Sequence, residues 1–231
     1  MLWFRLRSPF ASDARPSSDM TTSASRNVVL RLLTDWDFAI RAVRYALHLP
    51  TPKKTEDRRV LEQLIFPYYA TRSDIHSVLF VGCDWYTGHY GKAFFRGHDY
   101  WTIEPSEPGR KFGSKGHHVV ASWEKLGEHF PERYFDLIIA NGVYGFGLNT
   151  RAQCEAAFAE SYSRLREGGH LVFGWNDVPE RTPVPLQDIA SLRRFTPWTF
   201  PAFHSWRYLT DTPHRHVYDF YVKTESDVPM R

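Results

Sequence analysis

Three unbroken apolar runs constrain this chain most: Val78-Leu79-Phe80-Val81, Leu137-Ile138-Ile139-Ala140 and Leu171-Val172-Phe173. Each is too short for a helix and does not alternate with polar residues. A strand with one wet face alternates, whereas an unbroken run marks a strand covered on both faces, as in a parallel sheet between two helical layers. These runs lie within strand candidates at Ser77–Gly82, Phe135–Asn141 and His170–Trp175, with two more at Tyr100–Glu104 and His118–Ala121. Helical stretches fall between them at Tyr90–Arg96, Trp123–His129 and Arg151–Arg166. Strand–helix alternation of this kind predicts an α/β doubly wound sheet with right-handed crossovers. Two last candidates, Ser205–Leu209 and Val217–Lys223, are joined by Thr210-Asp211-Thr212-Pro213, a turn that suits an antiparallel hairpin and brings the strand count to seven.

All 14 glycines lie between Gly82 and Gly174, so a glycine-punctuated core is flanked by segments without any. Residues 1–26 show no periodicity and read as a disordered leader; 27–69 reads as a helical cover, and 70–231 as the main domain. Within the cover, 27–49 places Leu30, Leu33, Ile40, Val43 and Leu47 near one face and Asp37, Arg41, Arg44 and His48 on another. Packing on the domain is the ordinary reading of such a helix, and weak contact with a membrane surface or partner is the alternative. A second helix is expected over Thr55–Tyr69, capped by Thr55, with Val60, Leu61, Leu64 and Ile65 buried. The formal charge of +3 comes from the first 50 residues, because 51–231 carries 22 basic and 22 acidic side chains. That balance gives no strong nucleic-acid signal. Cys83 and Cys154 are too few for a disulfide framework, which fits a reducing, cytoplasmic setting. Oligomeric state is left open.

The first strand runs into Gly82-Cys83-Asp84-Trp85-Tyr86-Thr87-Gly88. A small residue leaving the first strand lets backbone approach a ligand, and Gly88 falls where a helix begins. Glu104 ends the second strand, where an acid in nucleoside-binding doubly wound folds accepts hydrogen bonds from ribose hydroxyls. A lone glutamate there is otherwise ordinary solvated surface.

From Ser77 to Lys223 the chain resembles the class I S-adenosylmethionine-dependent methyltransferases, as a divergent branch. Val78-Leu79-Phe80-Val81-Gly82-Cys83 is similar to the first motif and Ile103-Glu104-Pro105 to the ribose-binding one. Phe135–Val143 resembles the fourth-strand motif, and Leu165-Arg166-Glu167-Gly168-Gly169-His170 resembles the turn into strand five. The resemblance implies a Rossmann-like seven-stranded sheet of order 3-2-1-4-5-7-6, with the last strand antiparallel and helices on both faces. It implies S-adenosylmethionine as cofactor, with S-adenosylhomocysteine as product. Gly82, Cys83, Asp84 and Gly88 would lie under the cofactor and Glu104 on its ribose; Ser122 and Trp123 would lie near the adenine, and Asn141 and Gly142 near the methionine end. The sequence departs from the family at Phe80, where an acid is usual, and at Asp84, where a second glycine is usual.

Methyl transfer needs mainly alignment and sometimes a base. Asn141 and Tyr144 after strand four, and His89 after Gly88, are the catalytic candidates; Asn176 and Asp177 follow strand five. Cys83 reads as a small buried residue. His117-His118 and His214-Arg215-His216 lack ligand spacing with other residues, so no metal site is expected. Trp175, Trp198, Phe200, Phe203 and Trp206 read mostly as aromatic core, with lining of a small-molecule acceptor pocket as the alternative. A short-chain dehydrogenase would need Tyr-x-x-x-Lys, and no tyrosine has a lysine four positions on. A phosphate-binding G-x-x-x-x-G-K-[ST] loop is absent. The expected activity is methyl transfer to a small molecule. The alternative from a different class is a non-catalytic cofactor-binding or scaffold protein on the same fold.

Overall fold

The computed structural model describes residues 55–224 and Val43. The expected leader at 1–26 and, Val43 apart, the basic helix at 27–49 lie outside the described residues. Every element named below belongs to the unit His48–Arg231.

Helix α1 is built of three contiguous segments: α-helical Glu56–Val60, π-helical Leu61–Ile65 and α-helical Phe66–Ala70. Pro67 has no N–H to give the preceding turn, and a widened turn just before it accommodates that loss. The π turn also resets the helical phase. Val60, Leu61 and Ile65 are buried as expected, but Leu64 is 42% exposed, which corrects its assignment to the buried face. Thr55 stands at the N-cap position without a side-chain capping bond.

The strands are β1 (Ser77–Val81), β2 (Asp99–Ile103), β3 (His118–Val119), β4 (Phe135–Asn141), β5 (Leu165–Asn176), β6 (Thr196–Pro197), β7 (Arg207–Leu209) and β8 (His216–Val222). Their order is β3-β2-β1-β4-β5-β8, with β6 and β7 both paired along the far edge of β8. The first five strands are parallel, and β8 is antiparallel to β5, β6 and β7. This is the expected 3-2-1-4-5-7-6 arrangement with its edge strand in two pieces. Trp198 N–H bonds the carbonyl of Phe220 at 2.9 Å, and Phe220 N–H bonds that of Trp206 at 2.8 Å, so the chain leaves the edge and returns to it.

Both faces of the sheet are dry, as the unbroken runs require. Leu79, Val81, Ile138, Leu171 and Phe173 pack against α3 (Arg151–Arg164) and the 3₁₀ segment Trp123–Glu128. Val78, Phe80, Leu137, Ile139 and Val172 pack on α1 and the short helix α2 (Tyr90–Ala93). Two expected helices are therefore reduced: 90–96 closes after one turn, and 123–129 is 3₁₀, interrupted at Lys125. Helix α3 starts from a capping box in which Thr150 and Gln153 exchange bonds. Trp198, Phe200 and Phe203 belong to the aromatic packing on the α1 face.

At the amino ends of the strands, Asp136 accepts from His76 N–H at 2.7 Å and Ser77 N–H at 2.9 Å, and pairs with Arg166 of β5. One carboxylate thereby joins β1, β4 and β5 at the end of the sheet remote from the cleft. Burial alone would raise its pKa, but the two backbone donors and Arg166 overrule this and hold it below the usual range.

Candidate functional site

The carboxyl ends of β1, β2, β4 and β5 open into a cleft of about 750 Å³, within the size range of small-molecule sites. Gly82 leaves β1 with φ +88°, and a Cβ there would stand 2.8 Å from Val143 Cγ1. Only glycine meets both the left-handed backbone and the close approach of the loop after β4. The following turn closes on itself. Thr87 Oγ1 accepts from Asp84 N–H at 3.0 Å and donates to the Asp84 carbonyl at 2.9 Å, and Asp84 Oδ1 accepts from Trp85 N–H at 2.6 Å. Side-chain bonds thus shape the loop.

Glu104 stands across this turn. Its carboxylate accepts from Cys83 N–H at 3.2 Å and from Ser106 N–H at 3.1 Å, so the acid is held at the cleft floor rather than free in solvent. Gly109 lets it sit there, since a Cβ at 109 would meet Glu104 Cγ at 2.8 Å. Burial and the neighbouring Glu104 push the Cys83 thiol up to about 12, which leaves it inert as a nucleophile.

Gly82, Cys83, Asp84, Glu104, Ser122, Trp123, Asn141 and Gly142 all line this one cleft. Trp123 offers only an edge, because it is buried and its indole N–H bonds Ser161 Oγ at 2.8 Å. Three expected site residues lie elsewhere. Gly88 packs on the backbone of Phe112. His89 is buried beside Tyr90 and Phe94, and burial together with Arg58 lowers its pKa to about 4. Tyr144 is fully buried and donates to the carbonyl of Val184, a core position outside the cleft. Their turns do reach the cleft, through Thr87 and through Val143, but these three residues are turned away from it. Phe80, in place of the family's acid, is buried between Phe66 and Tyr90 on the α1 face.

Asp57 and Arg58, not singled out earlier, and His214 and His216, set aside earlier on spacing, complete the cleft. His216, at the start of β8, approaches Asn176 Oδ1 through Nδ1 at 2.7 Å and Asn141 Oδ1 through Nε2 at 3.0 Å. A neutral imidazole can donate to one asparagine and accept from the amide of the other. The ends of β4, β5 and β8 are thus tied by a single ring. Burial lowers the His216 pKa to about 4. Asp57 and Arg58 enter from α1 and His214 from the turn before β8. The donor atoms of Asp57, His214 and His216 lie within 4.8 Å of one another, a grouping that local spacing does not reveal. Asp57 is about 160 positions from His216 in sequence, and no spacing rule joins them.

No family model and no curated protein sequence matches the chain. Solved structures do. The N-methyltransferase NodS from Bradyrhizobium japonicum WM9, in complex with S-adenosyl-L-homocysteine, aligns with TM-score 0.57 at 16% identity, over 75% of this chain and 90% of that one. The fold is that of the class I methyltransferases. A geranyl diphosphate methyltransferase in complex with SAM shares this class I fold at TM-score 0.52 and 13% identity, over 72% of this chain and 86% of that one. TrmN from Thermus thermophilus aligns at TM-score 0.51 and 14% identity, over 71% of this chain and 48% of that one. Among the described residues no helix is long and apolar enough to cross a membrane.

Proposed function

We propose that the protein transfers a methyl group from S-adenosylmethionine to a small-molecule acceptor. The observation that carries this reading is Glu104 at the end of β2, bonded to the backbone of Cys83 beside the left-handed Gly82 turn. That pair would offer a ribose diol two carboxylate oxygens, with the backbone of Gly82–Asp84 beside them for the remainder of the cofactor. The cleft volume suits such a ligand, and the two neighbours whose structures hold this cofactor or its product share the class I fold.

In this reading Glu104 accepts from the ribose hydroxyls while keeping its backbone bonds. Ser122 and the edge of Trp123 flank the adenine. The backbone at Gly82, Cys83 and Asp84, with Asn141 and Gly142 opposite, holds the methionine end. When bound, the cofactor supplies an activated methyl carbon, and the protein's task is alignment and exclusion of water. Asn141 is the catalytic candidate that remains in the cleft, held in orientation by His216. The acceptor enters on the side bounded by Asp57, Asn176, Arg181, His214 and His216, a polar wall that favours a small polar molecule.

Calorimetric titration of the purified chain with S-adenosylhomocysteine tests this reading. One site of millimolar or tighter affinity is expected, about −4 kcal/mol or better. A chain that binds the product but methylates nothing in a small-molecule panel would support a non-catalytic cofactor-binding role, and a chain that does not bind it at all would remove the proposal.

A further inference from the structure

Asp57 is buried, yet its Oδ1 has no hydrogen-bond partner among the described residues. Buried carboxylate oxygens are almost always bonded, and an orphan is costly enough to need a reason. Its sequence neighbour Arg58 acts on it only through space: the guanidinium donates to Tyr90 Oη at 2.7 Å and lies 4.1 Å from the centre of the Tyr86 ring, and no bond to Asp57 is formed among the described residues. A pair of imidazoles also faces Asp57. The Asp57, His214 and His216 donor atoms fall within 4.8 Å of one another, and all three residues line the cleft.

We propose that Asp57, His214 and His216 bind a divalent transition-metal cation of the zinc or ferrous type. Two imidazoles and one carboxylate are a donor set for such ions, and three protein ligands leave coordination positions open. A small inward shift brings donors at this separation to metal–ligand distances of about 2.0–2.2 Å. His216 gives up one asparagine to the cation and keeps the other as acceptor for its remaining N–H, the orienting partner that ligating histidines usually have. Asp57 gains a counter-charge for its unpartnered oxygen. The open positions face the cleft, where an anionic oxygen or a nitrogen lone pair of a small molecule would complete the sphere. If the methyl-transfer reading holds, that molecule is the acceptor; the metal site itself does not depend on that reading.

The test is titration of the full chain, stripped with a chelator, with Co²⁺, followed by its visible absorption and by calorimetry. One equivalent is expected, with the intense bands of a low-coordinate site. Asp57→Asn and His214→Gln should each weaken binding tenfold or more, with the far-ultraviolet spectrum unchanged. His214→Gln is the safer variant, because His214 is only half-buried and its recorded contact is with the His216 ring. Failure of the wild type to bind Co²⁺, or equal uptake by the wild type and both variants, would overturn the proposal, the latter assigning uptake to other histidines among the chain's 11. S-adenosylhomocysteine binding measured on the same metal-free sample separates this outcome from failure of the methyl-transfer reading.

Discussion

At the scale of single residues, Glu104 ties two loops through its backbone bonds and, in the proposed reading, also receives the ribose. Its position at the end of a strand was legible, because an acid there follows a hydrophobic run by simple counting. Its bonds to Cys83 and Ser106 were not, because they depend on how two loops meet. Glu104→Gln retains an acceptor oxygen and loses the charge, so S-adenosylhomocysteine affinity should fall about tenfold by calorimetry, as expected when a charge-assisted hydrogen bond becomes a neutral one. Glu104→Ala should weaken binding at least as much and also lower the melting temperature by a few degrees, since two backbone donors lose their acceptor at about 1 kcal/mol. Gly82→Ala is harsher, because a Cβ at φ +88° stands 2.8 Å from Val143 Cγ1. A loss of about 1–3 kcal/mol in chemical denaturation is expected. The Asp57–His214–His216 group was invisible in sequence because its members come from α1 and from the turn before β8, elements that meet only in the folded chain.

At the scale of elements, legibility follows from burial on both faces. The central strands were recognisable because parallel strands between two helical layers must be apolar throughout. The edge carries one piece more than expected: β6 is only Thr196–Pro197, and its proline fits an edge position where no ladder donor is needed. Helix α1 was found by its period, but Leu64 was misplaced because a π turn before Pro67 shifts the phase. Asp136 joins three strands at once through His76, Ser77 and Arg166. Asp136→Ala leaves those donors without an acceptor and is expected to cost about 2–4 kcal/mol in urea denaturation. Its depressed pKa gives the sign of the acid response. The stability it contributes is present above the ordinary carboxyl value of about 3.9 and is lost as pH falls through the lower folded value, so the variant should lose less stability than wild type in that window.

At the scale of the whole molecule, burial of neutral histidines sets a second acid response. His89 and His170 have folded pKa values of about 4, lowered first by burial and then by nearby arginines. The unfolded chain binds protons at about 6.5, so below that value it holds more protons than the native state. Stability is therefore complete above about pH 6.5 and declines as pH falls toward 4, by up to about 1.4 kcal/mol per unit for each histidine. Melting temperature followed from pH 7 to pH 4.5 should fall continuously, and His170→Phe should flatten the slope. The central claim concerns the cleft at the carboxyl edge of the sheet, and its most direct test is a structure of the protein grown with S-adenosylhomocysteine. The account predicts the ribose within hydrogen-bonding distance of Glu104, the adenine beside Ser122 and Trp123, and the methionine end over Gly82–Asp84. A cleft left empty at saturating ligand, or a ligand bound away from Glu104, would contradict it.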